Sequence, residues 1–347
     1  MHIDNFPRKQ NLDSISGKNG VLWQTMIIYH DLAEISEPLR RPVITIGNFD
    51  GVHLGHQTLF QKVKERARAM SGQGVVLTFD PHPIKLMRPE KQLPLLTTTA
   101  QKVRLLSELD LEVLIVHPFT ADFGALPARD FVAEYLVRRL GVQEVVIGHD
   151  YRFGRNREGN IALLQALGAE FGFPVHVVDA IQIQGKVVSS TLIRNLIQRG
   201  QVHEAQKFLG RPYEVTGVVV PGYGRGARLL GFPTANIDLD NGLLVPGAGI
   251  YAVWTELRGQ VYSGVANIGT CPTFDNQKLS LEVYILDFDA DIYGERLAVR
   301  FVQRLRDEHR FPDISALISQ IKKDVAAARQ IVGAAASSPA SLETASI

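Results

Sequence analysis

The chain has 347 residues, 45% hydrophobic and 21% charged, which is enough for two or three domains with ordinary buried cores. Lys+Arg 37 against Asp+Glu 36 leave a formal net charge of +1, and no basic run gives the footprint of a nucleic-acid binder, although local groups can still hold a small anion. The single cysteine, Cys271, cannot pair within the chain, no apolar stretch approaches about 18 residues, and residues 1–25 lack the apolar core of a signal peptide, so a soluble cytoplasmic protein is expected.

In chain order, residues 1–25 read as a disordered extension. From Met26 short apolar runs (Val43 to Ile46, Val75 to Phe79, Val113 to Val116, Val145 to Ile147, Val175 to Val178) alternate with amphipathic segments. In the first of these, Leu59, Val63, Ala67 and Met70 recur at helical spacing, and similar stripes fill "KVRLLSEL" and "RDFVAEYLVRRLG". The alternation predicts a doubly wound α/β domain with a parallel sheet over residues 26–185. Residues 186–212 form a helical connection. Beyond Tyr213 the runs "YEVTGVVV", "GIYAVWTEL", "QVYSGVANI", "LSLEVYIL" and "RLAVRFV" follow one another without helices, which predicts an antiparallel barrel or sandwich over 213–332. A stripe of Ile314, Leu317, Ile318, Ile321 and Val325 predicts a closing helix from about Asp313 to Val332, and residues 333–347 read as a disordered tail.

Four segments carry chemistry, three in the first domain and one in the helical connection that follows it. "GNFDGVHLGH" follows the first of the apolar runs, at the sheet edge where open α/β sheets bind ligands. Gly47, Gly51 and Gly55 permit close backbone approach, the helix starting near Leu54 offers free N–H groups to a phosphate, and His53 and His56 can aim at one phosphoryl group. A plain turn with two exposed histidines fits the same residues, and no third ligand for a metal stands nearby. "TFDPHP" brings Asp80 and His82 to the same edge on a loop stiffened by Pro81 and Pro83, or is a rigid structural turn. "GHDYRFG" offers Asp150, Arg152 and the rings of Tyr151 and Phe153, the rings being either ligand contacts or core. "VSSTLIR" places Ser190 and Thr191 at a helix start with Arg194 one turn along, either a phosphate site or an ordinary cap beside a surface arginine.

In the second domain "PGYGRGARLLGFPTANI" alternates Gly222, Gly224 and Gly226 with Tyr223 and Arg225, either a loop that folds over phosphates or a cluster of turns. Thr234 and Asn236 lie two apart on an extended segment, so they share a face and suit Mg²⁺ held with nucleotide phosphates. No Walker A motif occurs.

"HLGH" resembles the H-x-G-H signature of the nucleotidyltransferase superfamily. With "TFDPHP", "GHDYRFG" and "VSSTLIR" in this order it resembles the N-terminal domain of the prokaryotic bifunctional riboflavin kinase/FMN adenylyltransferases, and "RGARLLGFPTANI", "GIYAV", "NIGTCPTF", "LEVYILDF" and "RLRDEHRF" resemble their kinase barrel. The resemblance spans about Met26 to Val332. It implies a Rossmann-like nucleotidyltransferase domain followed by a β-barrel riboflavin kinase, with ATP, riboflavin and FMN as substrates, FMN and FAD as products and Mg²⁺ in both steps.

By the same resemblance His53, His56 and Arg194 stabilise adenylyl transfer, and Glu282 is the base that accepts the riboflavin proton. Gly47, Asn48, Phe49, Asp50, Gly55, Ser190, Thr191, Gly224, Arg225 and Gly226 are expected at ATP. Asp80, His82, Asp150, Arg152, Phe153, Arg304 and Arg306 are expected at the flavin, and Thr234 and Asn236 at the metal. Without the resemblance, Glu282 reads as a solvent-facing residue of a half-buried strand, and "RLRDE" as a surface charge cluster. Two departures stand out. Cys271 occupies a position where the family carries asparagine, and a thiol is a weak hydrogen-bond partner; residues 1–25 have no counterpart, as if translation began upstream of the family's start. Competing readings are a nucleotidyltransferase acting on another phosphate, against which the barrel motifs speak, and a non-enzymatic flavin or nucleotide sensor. A class I tRNA synthetase is disfavoured, for K-M-S-K-S is missing. Partners are small molecules, with neither nucleic acid nor membrane, and a homo-oligomer stays open.

Overall fold

The computed structural model describes residues 26–221, 232–240, 242–273 and 276–336. The chain forms two compact units, with the break between Val187 and Val188; the short segment Pro94–Thr98 is grouped with the second unit.

The first unit is built on six parallel strands, β1 (Ile27–Tyr29), β2 (Pro42–Ile46), β3 (Gln73–Asp80), β4 (Val113–Pro118), β5 (Glu144–Gly148) and β6 (Val175–Val178), in the order β1-β4-β3-β2-β5-β6. The central strands read as unbroken apolar runs because both faces are covered. Ile44, Ile46, Val75, Leu77, Val145 and Ile147 pack into one core, and Val43, Val76, Leu114, Val116 and Val146 into the other. The second core takes Leu59, Phe60, Val63 and Ala67 of helix α1 (Leu54–Ala69). Leu59, Phe60 and Val63 each contribute about 1.5–3 kcal/mol through burial, and the Ala67 methyl less. Near its C-terminus α1 is fixed by Arg66, which grips both Glu144 oxygens at 2.6 and 2.7 Å at the first residue of β5. The helix N-terminus therefore points to the carboxyl edge of the sheet. β1 was not among the expected strands, so "GNFDGVHLGH" follows the second strand in sequence rather than the first.

The order reverses between β2, from which the chain steps to β3 and β4, and β5, which lies on its other side. The loops after β2 and β5 diverge there and open the crevice that this class of sheet uses for ligands.

The second unit begins with two helices, Ser190–Gln198 and Val202–Leu209. There follow β9 (Tyr213–Val220), β10 (Ala235–Leu239), β11 (Gly249–Leu257), β12 (Gln260–Thr273), β13 (Asn276–Ile285) and β14 (Arg296–Arg306), numbered after the small hairpin β7 (Gln182–Ile183) and β8 (Lys186–Val187). They close an antiparallel barrel in the order β10-β13-β12-β11-β14-β9, sealed by pairing of β9 with β10. Tyr213, Val215, Tyr251, Val253, Leu281, Val283, Val299 and Phe301 are buried. A helix, Ile314–Ala336, runs past the expected end at Val332; Asp313 Oδ1 caps it by accepting from Ala316 N at 2.8 Å. Ala328 and Val332 pack on Ala252 and Val302. Arg306 reaches the buried Asp324 of this helix at 2.8 Å, tying helix to barrel.

Candidate active sites

In the first unit the turn from β2 into α1 is conformationally demanding. Phe49 (φ 47°), Gly51 (φ 89°) and the β-branched Val52 (φ 41°) all lie in the left-handed region. For Val52 this is costly, and burial of the Phe49 and Val52 side chains holds it in place. A Cβ at Gly47 would meet the Phe49 ring at 2.8 Å, so glycine is required there. His53 is the N-cap of α1, its Nδ1 accepting from His56 N at 3.3 Å. The two imidazoles stack with centroids 3.5 Å apart, and Phe49 meets the edge of His56 at 5.3 Å. His53 is buried, so the reading of two exposed histidines does not hold. The pair stands at a helix N-terminus, where the first N–H groups have no intrahelical acceptor and favour an anion.

The segment after β3 caps a short helix, Pro83–Met87, through His82 Nδ1 accepting from Ile84 N at 3.2 Å, and Asp80 is exposed beside it. After β5, Asp150, Tyr151 and Arg152 line a polar cleft of about 390 Å³ with His149, Asn160 and Ile161. Phe153 does not line it. It is buried against Phe131 and Tyr151 and exchanges backbone hydrogen bonds with Gly159, which places it in the core.

One residue of this site escaped the sequence reading. Lys102, on the helix Thr99–Ser107, is 5% exposed and its ammonium donates to Thr78 Oγ1 at 3.2 Å; that hydroxyl in turn donates to the Asn48 carbonyl at 3.3 Å. Burial pushes the Lys102 ammonium down to about 8, against the pull of Asp50 and Asp80. A buried cation thus stands between the loops that follow β2 and β3. Its sequence signal was a lysine on the stripe shared with Leu105, Leu106 and Leu109.

Ser190, Thr191 and Arg194 lie in the second unit. The cap of their helix is Ser189, whose Oγ accepts from Leu192 N at 3.2 Å, so Ser190 and Thr191 occupy its first turn. Arg194 is buried rather than a surface arginine, with Nε donating to the Pro94 carbonyl at 2.9 Å.

In the barrel, register brings the expected residues together. Asn236 stands opposite Glu282, and Thr234 Oγ1 lies 3.5 Å from Glu282 Oε2. Burial raises the Glu282 carboxyl above its ordinary value, the Thr234 hydroxyl opposes this and the Glu308 carboxylate adds to it. Asn267, on β12, also stands opposite Glu282, and among the described residues its buried Oδ1 has no hydrogen-bond partner. Leaving such an atom unmatched costs about 1–3 kcal/mol. A Cβ at Gly269 would collide with the Glu308 carboxylate. Arg304 donates to the Ala248 carbonyl and pairs with Asp307 at 2.6 Å, whereas Arg306 is committed to Asp324. Gly224, Arg225 and Gly226 lie outside the described residues, as does the Cys271 side chain. The hydroxyl of Thr234, the carboxamide of Asn236 and the neighbouring carboxylate are hard oxygen donors. Among the described residues no cluster of three or more His, Cys, Asp or Glu forms a cation cage. Such a donor set fits Mg²⁺ that keeps most of its coordination to phosphate and water.

The two folds and their sites define an ATP-dependent transferase in which a nucleotidyltransferase sheet and a kinase barrel share one chain. The family model for FAD synthetase matches residues 35–192 and that for riboflavin kinase residues 209–332. The chain belongs to the bifunctional riboflavin kinase/FMN adenylyltransferase family: it phosphorylates riboflavin with ATP to FMN, then adenylylates FMN with ATP to FAD and pyrophosphate. The enzyme of that description from Listeria monocytogenes is 40% identical over 303 residues, covering 87% of this chain and 96% of its own. That of Escherichia coli (strain K12) is 37% identical over 305 residues, covering 88% and 96%. A crystal structure described as a macrolide-efflux protein from Streptococcus pneumoniae matches with a TM-score of 0.79 at 33% identity, covering 88% of this chain and 99% of that one. Among the described residues of this chain, no helix is long and apolar enough to cross a membrane.

Proposed function

We propose that adenylyl transfer is carried by His53 and His56, and riboflavin phosphorylation by Glu282. In the first reaction an oxygen of the FMN phosphate attacks the α-phosphorus of ATP in line, the bond to the β,γ-phosphates breaks, and pyrophosphate leaves. The histidines stabilise the charge that develops on the transferring phosphoryl group, and no covalent enzyme intermediate is needed. The observation that carries this reading is the stacked imidazole pair on the N-terminus of α1 at the switch point of the sheet. Gly47, Asn48, Phe49, Asp50 and Gly55 cradle the nucleotide. Asp80, His82, Asp150 and Arg152 face the flavin. Ser190, Thr191 and Arg194 are assigned to the ATP phosphates on the family resemblance.

In the second reaction Glu282 accepts the proton of the riboflavin hydroxyl as that oxygen attacks the γ-phosphorus of ATP and ADP departs. Burial beside Thr234 and Glu308 gives a carboxylate more basic than usual, as a general base requires. Mg²⁺, held by Thr234, Asn236 and the nucleotide phosphates, would neutralise phosphate charge when bound. A cytoplasmic setting belongs to the same reading and fits the lone cysteine. A time course with riboflavin, ATP and Mg²⁺, resolved by chromatography, is expected to show FMN rising first and FAD following at its expense. FMN without FAD would remove the assignment of the first unit, and FAD only from added FMN that of the barrel.

Lys102 belongs to the adenylylation machinery in this reading, because its buried charge feels both Asp50 and Asp80, one from each of two loops of the site. FAD formation is expected to fall as pH rises through about 8, where Lys102 loses its proton, and Lys102→Met should be slow at every pH without that alkaline limb. Stability runs the other way. The folded chain releases this proton at about 8 and the unfolded chain at about 10.5, so the unfolded state binds more protons in between and the contribution of Lys102 to stability rises with pH across that window. The change is on the order of 3 kcal/mol. Denaturation of parent and Lys102→Met at several pH values checks the sign.

A further inference from the structure

Three neighbouring strands set Asn236, Glu282 and Asn267 in one row, Asn236 opposite Glu282 and Glu282 opposite Asn267. The residues that alternate with them, Ala266 and Ile268 on β12, Leu281 and Val283 on β13, are buried in the barrel, so Asn267 and Glu282 both leave by its outer face. Residues directly opposite in such a pair have Cβ atoms about 4.5–5.5 Å apart, which puts the carboxamide within reach of whatever the carboxylate holds. The next outward position on β12 is Gly269, and the Glu308 carboxylate lies against it. Asn267 Oδ1 is therefore a buried acceptor, without a donor, near two carboxylates that can only accept. A ligand that completes this arrangement must bring hydrogen-bond donors, and the polyol chain of riboflavin is a row of hydroxyls.

We propose that Asn267 positions riboflavin for phosphorylation: Oδ1 accepts a hydrogen bond from a non-reacting hydroxyl of the polyol and so holds the terminal hydroxyl at Glu282. The inference rests on the reading of Glu282 as the base. A contact of this kind also explains why a strand residue facing outward is an amide with a buried oxygen rather than an apolar or fully solvated side chain.

The test is kinase kinetics of Asn267→Leu, which keeps the shape of the side chain and removes its polarity, against riboflavin and analogues lacking one hydroxyl each at the non-reacting polyol positions. Expected is a fall of about 10- to 100-fold in kcat/KM for riboflavin, with KM for ATP unchanged. One deoxy analogue should be phosphorylated equally by parent and variant, because the contact it lacks is the one the variant lacks. Equal losses on every flavin would assign Asn267 a structural role and overturn the proposal, as would a KM change confined to ATP or no loss at all. Should Asn267→Leu fail to fold, as judged by its melting curve, Asn267→Ala answers the same comparison. Glu282→Gln run in parallel reads the base by itself: full activity there removes the base, whereas the analogue comparison still decides whether Asn267 touches the polyol.

Discussion

Replacing His53 with alanine is expected to lower the kcat/KM of FAD formation from FMN and ATP by at least about 100-fold, while phosphorylation of riboflavin continues. His53 has two physical jobs that this single substitution removes together. In the proposed reaction its imidazole faces the transferring phosphoryl group, and in the structure its Nδ1 caps α1 by accepting from His56 N. Loss of a cap costs about 0.5–2 kcal/mol of stability, which leaves most of a folded protein in place. Loss of a charge-stabilising group costs the rate directly. His53→Asn separates the two, since asparagine is among the best capping residues and has no imidazole: its melting curve should match the parent, and its FAD formation should be as slow as that of His53→Ala. If the asparagine variant recovers the rate, His53 acts only by shaping the turn. The stacked partner gives an independent reading, because His56→Ala keeps the backbone N–H that His53 Nδ1 accepts from, leaves the cap intact and is expected to be comparably slow.

Glu282→Gln should produce the complementary loss, lowering FMN formation by about 10²- to 10⁴-fold and leaving the conversion of added FMN to FAD intact. The pH dependence follows from the raised carboxyl. A base must be ionised, so kinase activity should fall as pH drops through this raised value, and the residual activity of the glutamine variant should lack that acidic limb. The sign for folding is opposite. The folded state holds the Glu282 proton more tightly than the unfolded chain, so this group favours folding at low pH and that contribution is lost as pH rises. The glutamine variant therefore should melt no lower than the parent at neutral pH. A drop in both activities with an unchanged melting curve would contradict two separately assigned sites.

The sheet strands and barrel strands were legible because apolar runs and turn residues mark them locally. Ile27–Tyr29 was not, since three residues are too few to show a period, and Ala235–Leu239 was read only as an extended segment, its alternation of apolar residues with Asn236 and Asp238 being too short to mark a strand. Helix ends depended on cap chemistry that several adjacent residues can supply: Ser189 rather than Ser190 caps its helix, and the last helix continues to Ala336. At the sites, the histidines and the Thr-Asn pair stood out by type and spacing, whereas Glu282, an ordinary residue of a half-buried strand by pattern, was singled out only by the resemblance. Lys102 was hidden on an apolar stripe, where its charge has no visible partner until Asp50 and Asp80 arrive from elsewhere in the chain. Asn267 could not be read at all. Its meaning lies in register with residues 15 and 31 positions away, on β13 and β10, and register across a barrel is a property of pairing rather than of local pattern.

Pro94–Thr98 interrupts the first unit's stretch of chain yet makes its ties in the second. Leu95 exchanges backbone hydrogen bonds with Gly242 and Leu244 at 2.8 Å, and Pro94 receives the Arg194 guanidinium. A gene fragment ending at Val187 would keep those five residues and discard Gly242, Leu244 and Arg194, to which Leu95 and Pro94 bond. A single cut after Val187 therefore leaves the second unit without these hydrogen bonds, and a fragment meant to carry that unit has to be given this short segment back.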